Sequence, residues 1–244
     1  MESETPRSQS LLQPKRWFLR ASAVQRVLIF LASLLILKVT GSVVLNYREY
    51  IPPNFQSEFL FGREPYFWGS YHWAFYTHIA AGPISLVLGM ILISERFRLN
   101  FPKWHRSLGR VQAMIVLLLV APSGLLMAYR ATAGPVAALG FAALAVATGS
   151  SIVLGWNLAV KRRFTEHRRW MSRCFLLLCS TVVLRLIAGL ATVMDVQGAW
   201  VEPSAAWASW LLPLAVFELS RARLTPNRHF DRSSPRPVQT AIGN

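Results

Sequence analysis

Residues 111–129 read VQAMIVLLLVAPSGLLMAY and directly follow the basic segment KWHRSLGR of residues 103–110. The apolar stretch holds no charged residue, and its length approaches the roughly 20 residues that a helix needs to cross a bilayer. In hydrocarbon, a helix is the simplest structure that satisfies every backbone polar group. The stretch therefore predicts a transmembrane helix that starts at a cationic membrane interface.

The same pattern recurs along the chain, of which 53% is hydrophobic and only 15% charged. Soluble domains have about 25% charged residues. We expect an all-α polytopic membrane protein. Its six transmembrane helices lie at about Val27–Leu45, Tyr71–Ile93, Val111–Tyr129, Pro135–Val160, Trp170–Val193 and Ala205–Leu219. The sixth is the shortest and contains Pro213.

The basic residues predict the orientation of these helices. Of the 26 lysines and arginines, 21 lie in the leader, the second and fourth connections and the tail, against three in the other connections. Cytoplasmic segments carry this excess. The chain is therefore expected in the inner (cell) membrane with both termini cytoplasmic, which requires an even number of spans. Residues 1–24 form a leader, 25–222 a single six-helix domain and 223–244 a disordered tail.

A short internal repeat groups four of the spans. Ser85–Gly89 and Ser151–Gly155 both read S-x-V-L-G, and each leads through a basic connection to a His-Arg pair, at His105 and at His167. This similarity suggests that spans two to five are two related hairpins that form a four-helix core.

His78 is the first polar residue that does not belong in lipid. Gly82, Ser85 and Gly89 follow it on the same helical face. Polar groups within a membrane face the protein interior and are candidates for function. The small residues form a groove that suits a flat cofactor such as haem; close packing against another helix is the alternative.

His105 and His167 open spans three and five at the same membrane level. On a helical wheel, each lies on a polar face that points into the core. The two rings are candidates for a ligand pair around a haem iron. The alternative is that both lie in interfacial turns, where cationic segments contact lipid phosphates.

Arg185 lies deep in span five, about 22 Å above Trp170 at the helical rise. The middle of the predicted spans holds no Asp or Glu. The partner of Arg185 is therefore expected to be a ligand anion, such as a propionate, a carboxylate or a lipid phosphate. The alternative is a side chain that extends to the membrane surface.

The sequence contains no nucleophile–base pair, phosphate-binding loop, Cys/His metal motif or carboxylate dyad. Neither catalytic nor metal-ligating residues are therefore assigned. The net charge of +15 is divided among short clusters between spans, so nucleic-acid binding is not expected. Cys174 and Cys179 lie on different faces of one helix and are expected to be small buried hydrophobes.

The motifs WHRSLGR at residues 104–110 and EHRRWMSR at residues 166–173, with Leu184-Arg185-Leu186 and His78, resemble a family of bacterial predicted membrane proteins of unknown function. The resemblance covers about residues 70–220. The family's layout is similar to that of b-type haem membrane cytochromes and transmembrane ferric reductases, which use one histidine pair at each membrane side. It implies an inner pair of His105 and His167. In the outer half His78 is matched by Leu144 in the repeat, which departs from that pattern.

Three functional hypotheses follow. The first is a redox protein that binds haem b or a quinone through a cofactor-binding set of His78, His105, His167 and Arg185. The second is a transporter of small molecules or lipids with an anion site at Arg185. The third is an accessory subunit of a larger membrane complex. All three have the lipid bilayer as their surroundings.

Overall fold

The computed structural model describes residues 23–57 and 59–224, which contain helices and no strand. Phe67–Tyr71 and Val116–Val120 are π-helical turns, and Asn46–Glu49 is a short 3₁₀ helix. The all-α prediction is confirmed. Within the described residues the α-helices are α1 (Ala23–Leu45), α2 (Glu64–Tyr66), α3 (His72–Ile93), α4 (Glu95–Asn100), α5 (Pro102–Ile115), α6 (Ala121–Tyr129), α7 (Gly134–Val160), α8 (Phe164–Leu178), α9 (Ser180–Val193) and α10 (Val201–Leu224).

Several of these helices join into longer ones. Within the described residues, the helical stretches long and apolar enough to cross a membrane are Ala23–Glu49, Glu64–Ile93, Pro102–Tyr129, Gly134–Val160 and Phe164–Val193, named here helices one to five. Each contains one of the first five predicted spans, so the chain is a polytopic membrane protein. Helix α10 covers the sixth predicted span with 24 residues but is not among the five. The sixth crossing stays a prediction.

The described chain divides into two units, the first ending at Asn46 and the second beginning at Tyr47. The first unit contains α1, whose only charged residues are Arg26 and Lys38. Of the predicted leader, residues 1–24, only the last two are described, and they begin α1. Helix α10 continues two residues into the predicted tail, 223–244, and the rest of that tail lies outside the described residues.

Within the second unit, helices two to five form a closed ring. Helix α3 packs against α5, α6 and α8, while α7 packs against α6 and α8. Each long helix therefore contacts the next in chain order, and the fifth returns to the second. This arrangement agrees with the predicted four-helix core. Helix α10 packs outside the ring, against α7, α8 and α9.

The small residues of the repeat are where α8 approaches its neighbours. Ser85 and Ser151 are both buried. A Cβ atom at Gly89 would lie 3.1 Å from Cδ2 of Phe175, and the side chain of Met171 covers the equivalent Gly155. Glycine gives these two helices the closest approach that an α-helical backbone permits. The S-x-V-L-G repeat thus marks the two contacts that close the ring on α8.

Two helices of the ring are interrupted. Pro122 has no N–H to offer the preceding turn, and the π-helical turn Val116–Val120 lies directly before it. Helix five breaks at Cys179, whose ψ of −9° departs from helical geometry. Beyond this break, α9 packs among the described helices only on α8 and α10.

The two ends of the ring differ in chemistry. We call the end with residues 47–71 and 126–134 the aromatic end, and the end with residues 93–106 and 160–170 the basic end. At the aromatic end the first long connection folds onto α3 around buried Leu60, Phe67, Tyr71 and Phe75. The Tyr and Trp content of this connection favours a loop that lies on the membrane surface. The connection instead forms a packed layer on α3.

Arg63 holds this layer together. Its side chain is 8% exposed. Its Nη1 donates to the Tyr71 hydroxyl at 3.1 Å and to the Arg130 carbonyl at 3.3 Å, and its Nη2 donates to Thr132 Oγ1 at 3.2 Å. The guanidinium also lies 4.3 Å from the centre of the Phe59 ring. One buried cation therefore joins the connection, helix two and the turn between helices three and four.

We expect Arg63→Met to lower the stability of the purified protein by about 3 kcal/mol, because several acceptors of a buried charged donor lose their hydrogen bonds together. Thermal unfolding in detergent measures the change. The control is Arg48→Met, which removes a charge from the same connection at a side chain that is 82% exposed. Equal melting temperatures for the two variants would contradict the role assigned to Arg63.

Candidate functional site

His105 and His167 both lie at the basic end. They are in the first turns of α5 and α8, and both are partly buried. His167 Nδ1 lies 2.8 Å from the carbonyl oxygen of Gly155 in α7. Because a carbonyl only accepts, Nδ1 carries the proton, and Nε2 of the neutral ring keeps its lone pair. Histidines that bind metals are oriented in this way.

Two polar atoms on the same face of α5 are buried without a partner among the described residues. They are Nδ1 of His105 and Oε1 of Gln112. The amide nitrogen of Gln112, Nε2, donates to the carbonyl and the hydroxyl of Ser85, at 3.0 and 2.9 Å. The two residues are seven apart, about 10 Å along the helix. A buried polar atom without a partner costs roughly 1–3 kcal/mol, so these atoms favour a water or a ligand between α5 and its neighbours.

The groove beside Ser85 and Gly89 is filled by protein side chains. Phe175 and Leu178 of α8 lie against Gly89, together with the amide of Gln112. Close helix packing therefore accounts for the groove at Gly89. Next to His105, by contrast, a Cβ atom at Gly109 would meet nothing within 4 Å.

His78 lies at a different level, between α3, α6 and α7. Its Nδ1 is 3.0 Å from Ser123 Oγ, and Ser123 donates its own proton to the Leu119 carbonyl. His78 is therefore the donor of that hydrogen bond, and its Nε2 keeps the lone pair. Gly124 makes room for the ring, since a Cβ atom there would lie 3.3 Å from Cε1. The distance along α3 from His78 to Ile93 at the basic end is about 22 Å, which separates His78 from the other two histidines.

Arg185 lies on α9, beyond the break at Cys179, and is exposed. Its Nη1 donates to Thr181 Oγ1 at 2.8 Å, and the guanidinium interacts electrostatically with the Tyr47 hydroxyl. That hydroxyl in turn donates to the carbonyl of Ile79 at 2.6 Å, one residue after His78. On the two sides of the interruption at Cys179, Cys174 is buried whereas Arg185 is exposed. An anion site at Arg185 stays a prediction.

Three structural roles are not apparent from the sequence. They are the buried hydrogen bonds of Arg63, the hydrogen bond from Tyr47 to Ile79, and the position of Oε1 of Gln112. Arg63 is one charge in an aromatic connection, and nothing in its neighbours signals burial. Tyr47 lies in an aromatic connection whose composition favours a membrane interface. The hydrogen bonds of Gln112 depend on where Ser85 lies in the ring, which the sequence does not show.

Comparison with protein families gives a match to the model described as "Predicted membrane protein (DUF2306)", over residues 75–220. The match covers more than half of the chain. The protein belongs to the DUF2306 family. Searches of curated proteins and of solved structures return no match.

The DUF2306 match runs from the first turns of α3 to the last part of α10. It includes the whole four-helix ring from Phe75 onward and all four candidate residues, His78, His105, His167 and Arg185. It leaves out α1 and the connection that carries Arg63. The match thus agrees with the family resemblance seen in the sequence motifs, and the family description assigns no activity.

The packing at Gly89 makes a testable contrast with Gly109. We expect Gly89→Val to lower stability by about 1–3 kcal/mol, because the added side chain overlaps Phe175. Gly109→Ala, placed one turn from His105, is the control, and it is expected to leave stability unchanged or slightly raised because alanine favours a helix. Thermal unfolding of both variants measures the difference. Equal destabilisation at the two positions would argue against the close contact of α3 with α8.

Proposed function

We propose that this protein is a redox-active membrane protein that binds haem b, with a quinone as the second candidate, between α5 and α8 at the basic end. The observation that carries the proposal is the histidine pair. His167 is oriented by the Gly155 carbonyl, which leaves the Nε2 lone pair for a ligand, and Nδ1 of His105 is buried without a partner among the described residues. Cofactor sites in helix bundles are built from inward-facing side chains of this kind on different helices.

For haem b, His105 and His167 would hold the haem. The bound haem would supply one-electron transfer, which ordinary side chains do not provide. The Gly155 carbonyl orients the His167 ring, and open space beside Gly109 leaves room next to His105. Exposed Arg106 and Arg110 follow His105 on α5 and offer guanidinium groups to carboxylates at this end.

For a quinone, the supporting observation is the pair of unsatisfied atoms on α5. Nδ1 of His105 would donate to a quinone oxygen, and Oε1 of Gln112 would accept from a hydroquinone hydroxyl. Gln112 has no role in haem ligation. The two candidates therefore differ in the residue set that they require.

The test for haem is the absorption spectrum of protein purified from haem-replete cells. We expect a Soret band in the wild type and its loss in His105→Ala and in His167→Ala. The matched control is His72→Ala, since His72 stacks on Trp68 at the aromatic end and is expected to leave the band intact.

A colourless wild-type protein from such cells would overturn the haem proposal. Quinone content is then measured by extraction and chromatography of the same preparations. Binding through α5 predicts that Gln112→Leu and His105→Ala each lose the quinone while His72→Ala keeps it. Equal quinone content in all four proteins would overturn the second candidate.

We further propose that the protein lies in the inner membrane with both termini cytoplasmic and that α10 is its sixth span. The supporting observation is the asymmetry of the charges, with 21 of the 26 lysines and arginines on one predicted side. Arg221 and Arg223 in the last turn of α10 continue this pattern. The basic end would then face the cytoplasm, which places the histidine pair near that side.

Reporter fusions test this topology. We expect green fluorescent protein fused after Asn244 to fluoresce and alkaline phosphatase fused there to be inactive, because both report a cytoplasmic terminus. A matched pair of fusions in the connection after Tyr129 is expected to give the opposite result. Active phosphatase at the C-terminus would show that α10 does not cross the membrane.

A further inference from the structure

A cavity of about 600 Å³ opens at the aromatic end, away from the histidine pair. Its walls come from the start of helix two and the end of helix three. The side chains that matter for its chemistry are Tyr66, Trp68, Tyr71, Leu126, Tyr129 and Arg130. The volume lies within the range of small-molecule sites in proteins, roughly 300–1,000 Å³.

The walls are held in place by structure outside the cavity. Arg63 donates to the Tyr71 hydroxyl on one wall and to the Arg130 carbonyl on the other. Gly69, within the π-helical turn Phe67–Tyr71, has non-helical dihedral angles (φ −97°, ψ −141°). The irregular turn places Trp68 and Tyr71 on the same cavity. Such π-helical turns are frequent at functional sites, and a site with fixed walls binds with little loss of conformational freedom.

The cavity favours an anion. The guanidinium carbon of Arg130 lies 5.2 Å from the ring centres of both Tyr66 and Tyr129, which hold it by cation–π contacts. No acidic residue is among the described residues that line the cavity, and none of the ion pairs in the described part of the chain includes Arg130. The edge N–H groups of Arg130 are therefore available, and the Tyr71 hydroxyl, which accepts from Arg63, has its own proton to donate.

The cavity also opens toward the apolar outer surface of helix three. Tyr129 is 80% exposed, and Leu126 is 50% exposed. Pro122 and Leu119 are exposed on the same side, one and two turns further along the helix. A molecule in the bilayer would reach Arg130 along this strip without crossing water. An anion with an apolar tail therefore fits this geometry better than an anion free in solution.

We propose that this cavity is a binding site for an anionic phospholipid, with its phosphate on Arg130 and its acyl chain along Leu126 and Leu119. Arginine binds phosphate through paired hydrogen bonds, and tyrosine and tryptophan favour the head-group layer. The site is separate from the histidine pair and does not depend on haem or quinone binding.

Native mass spectrometry of the full-length protein in detergent tests the proposal. The probes are phosphatidylglycerol and phosphatidylcholine with identical acyl chains. We expect the wild type to prefer phosphatidylglycerol. Arg130→Gln is expected to bind this lipid about tenfold more weakly, because it loses one charge-assisted pair of hydrogen bonds to the phosphate. Arg130→Lys is expected to fall between them, because it keeps the charge without the planar fork. Arg48→Gln is the control, since it removes a charge at the same end outside the cavity.

Melting temperatures establish that the variants are folded. Tyr129→Leu removes one of the two cation–π contacts that hold Arg130, so its phosphatidylglycerol binding is a second measure of the site. Equal phosphatidylglycerol binding by Arg130→Gln and Arg48→Gln would overturn the proposal. So would equal binding of the two lipids by the wild type. A third arm adds a large molar excess of inorganic phosphate. Persistence of the bound lipid supports the lipid as occupant, and its displacement would assign the site to free phosphate instead.

Discussion

The close approach of α8 to two glycines is the contact on which the rest of this structure depends. The side chain of Phe175 packs against Gly89 of α3, and the side chain of Met171 packs against Gly155 of α7. Lipid is as apolar as leucine, so helices in a membrane do not associate by excluding water and rely on packing and hydrogen bonds instead. With a larger residue at either position, α8 would be pushed away and the ring of helices two to five would open.

The same contact sets the chemistry of the basic end. Because α8 lies against α7 at Gly155, the carbonyl of that glycine meets the ring of His167 and fixes its proton on Nδ1. The glycine therefore provides both the space for the packing and the acceptor for the histidine. On the other side of α8, Gly89 lies beside the amide of Gln112, which donates to Ser85, and Oε1 of Gln112 has no partner among the described residues. Packing and candidate site are parts of one arrangement.

The aromatic end is organised by a different force. Arg63 is a buried cation that donates hydrogen bonds to a tyrosine hydroxyl, to backbone carbonyls and to a threonine. Its guanidinium also makes cation–π contacts with aromatic rings. Arg130 is held between two tyrosines at the edge of the same layer. The two ends of the ring thus carry unlike sites, imidazoles at one and a guanidinium with aromatic walls at the other.

The sequence by itself determined the helical class, the long apolar helices, their grouping into a four-helix ring and the level of each histidine. The helical class and the apolar helices follow from local composition and from the helical period, which operate residue by residue, whereas the grouping rests on the internal repeat. The sequence also predicts His105 and His167 at one level, since both open inward-facing helices. Only the tertiary structure decided the interruption of helix five at Cys179, the exposure of Arg185 and the burial of Arg63. It also decided that Phe175 fills the groove beside Gly89. Those outcomes depend on which side chains meet between helices distant in the chain, and neither composition nor period carries that information.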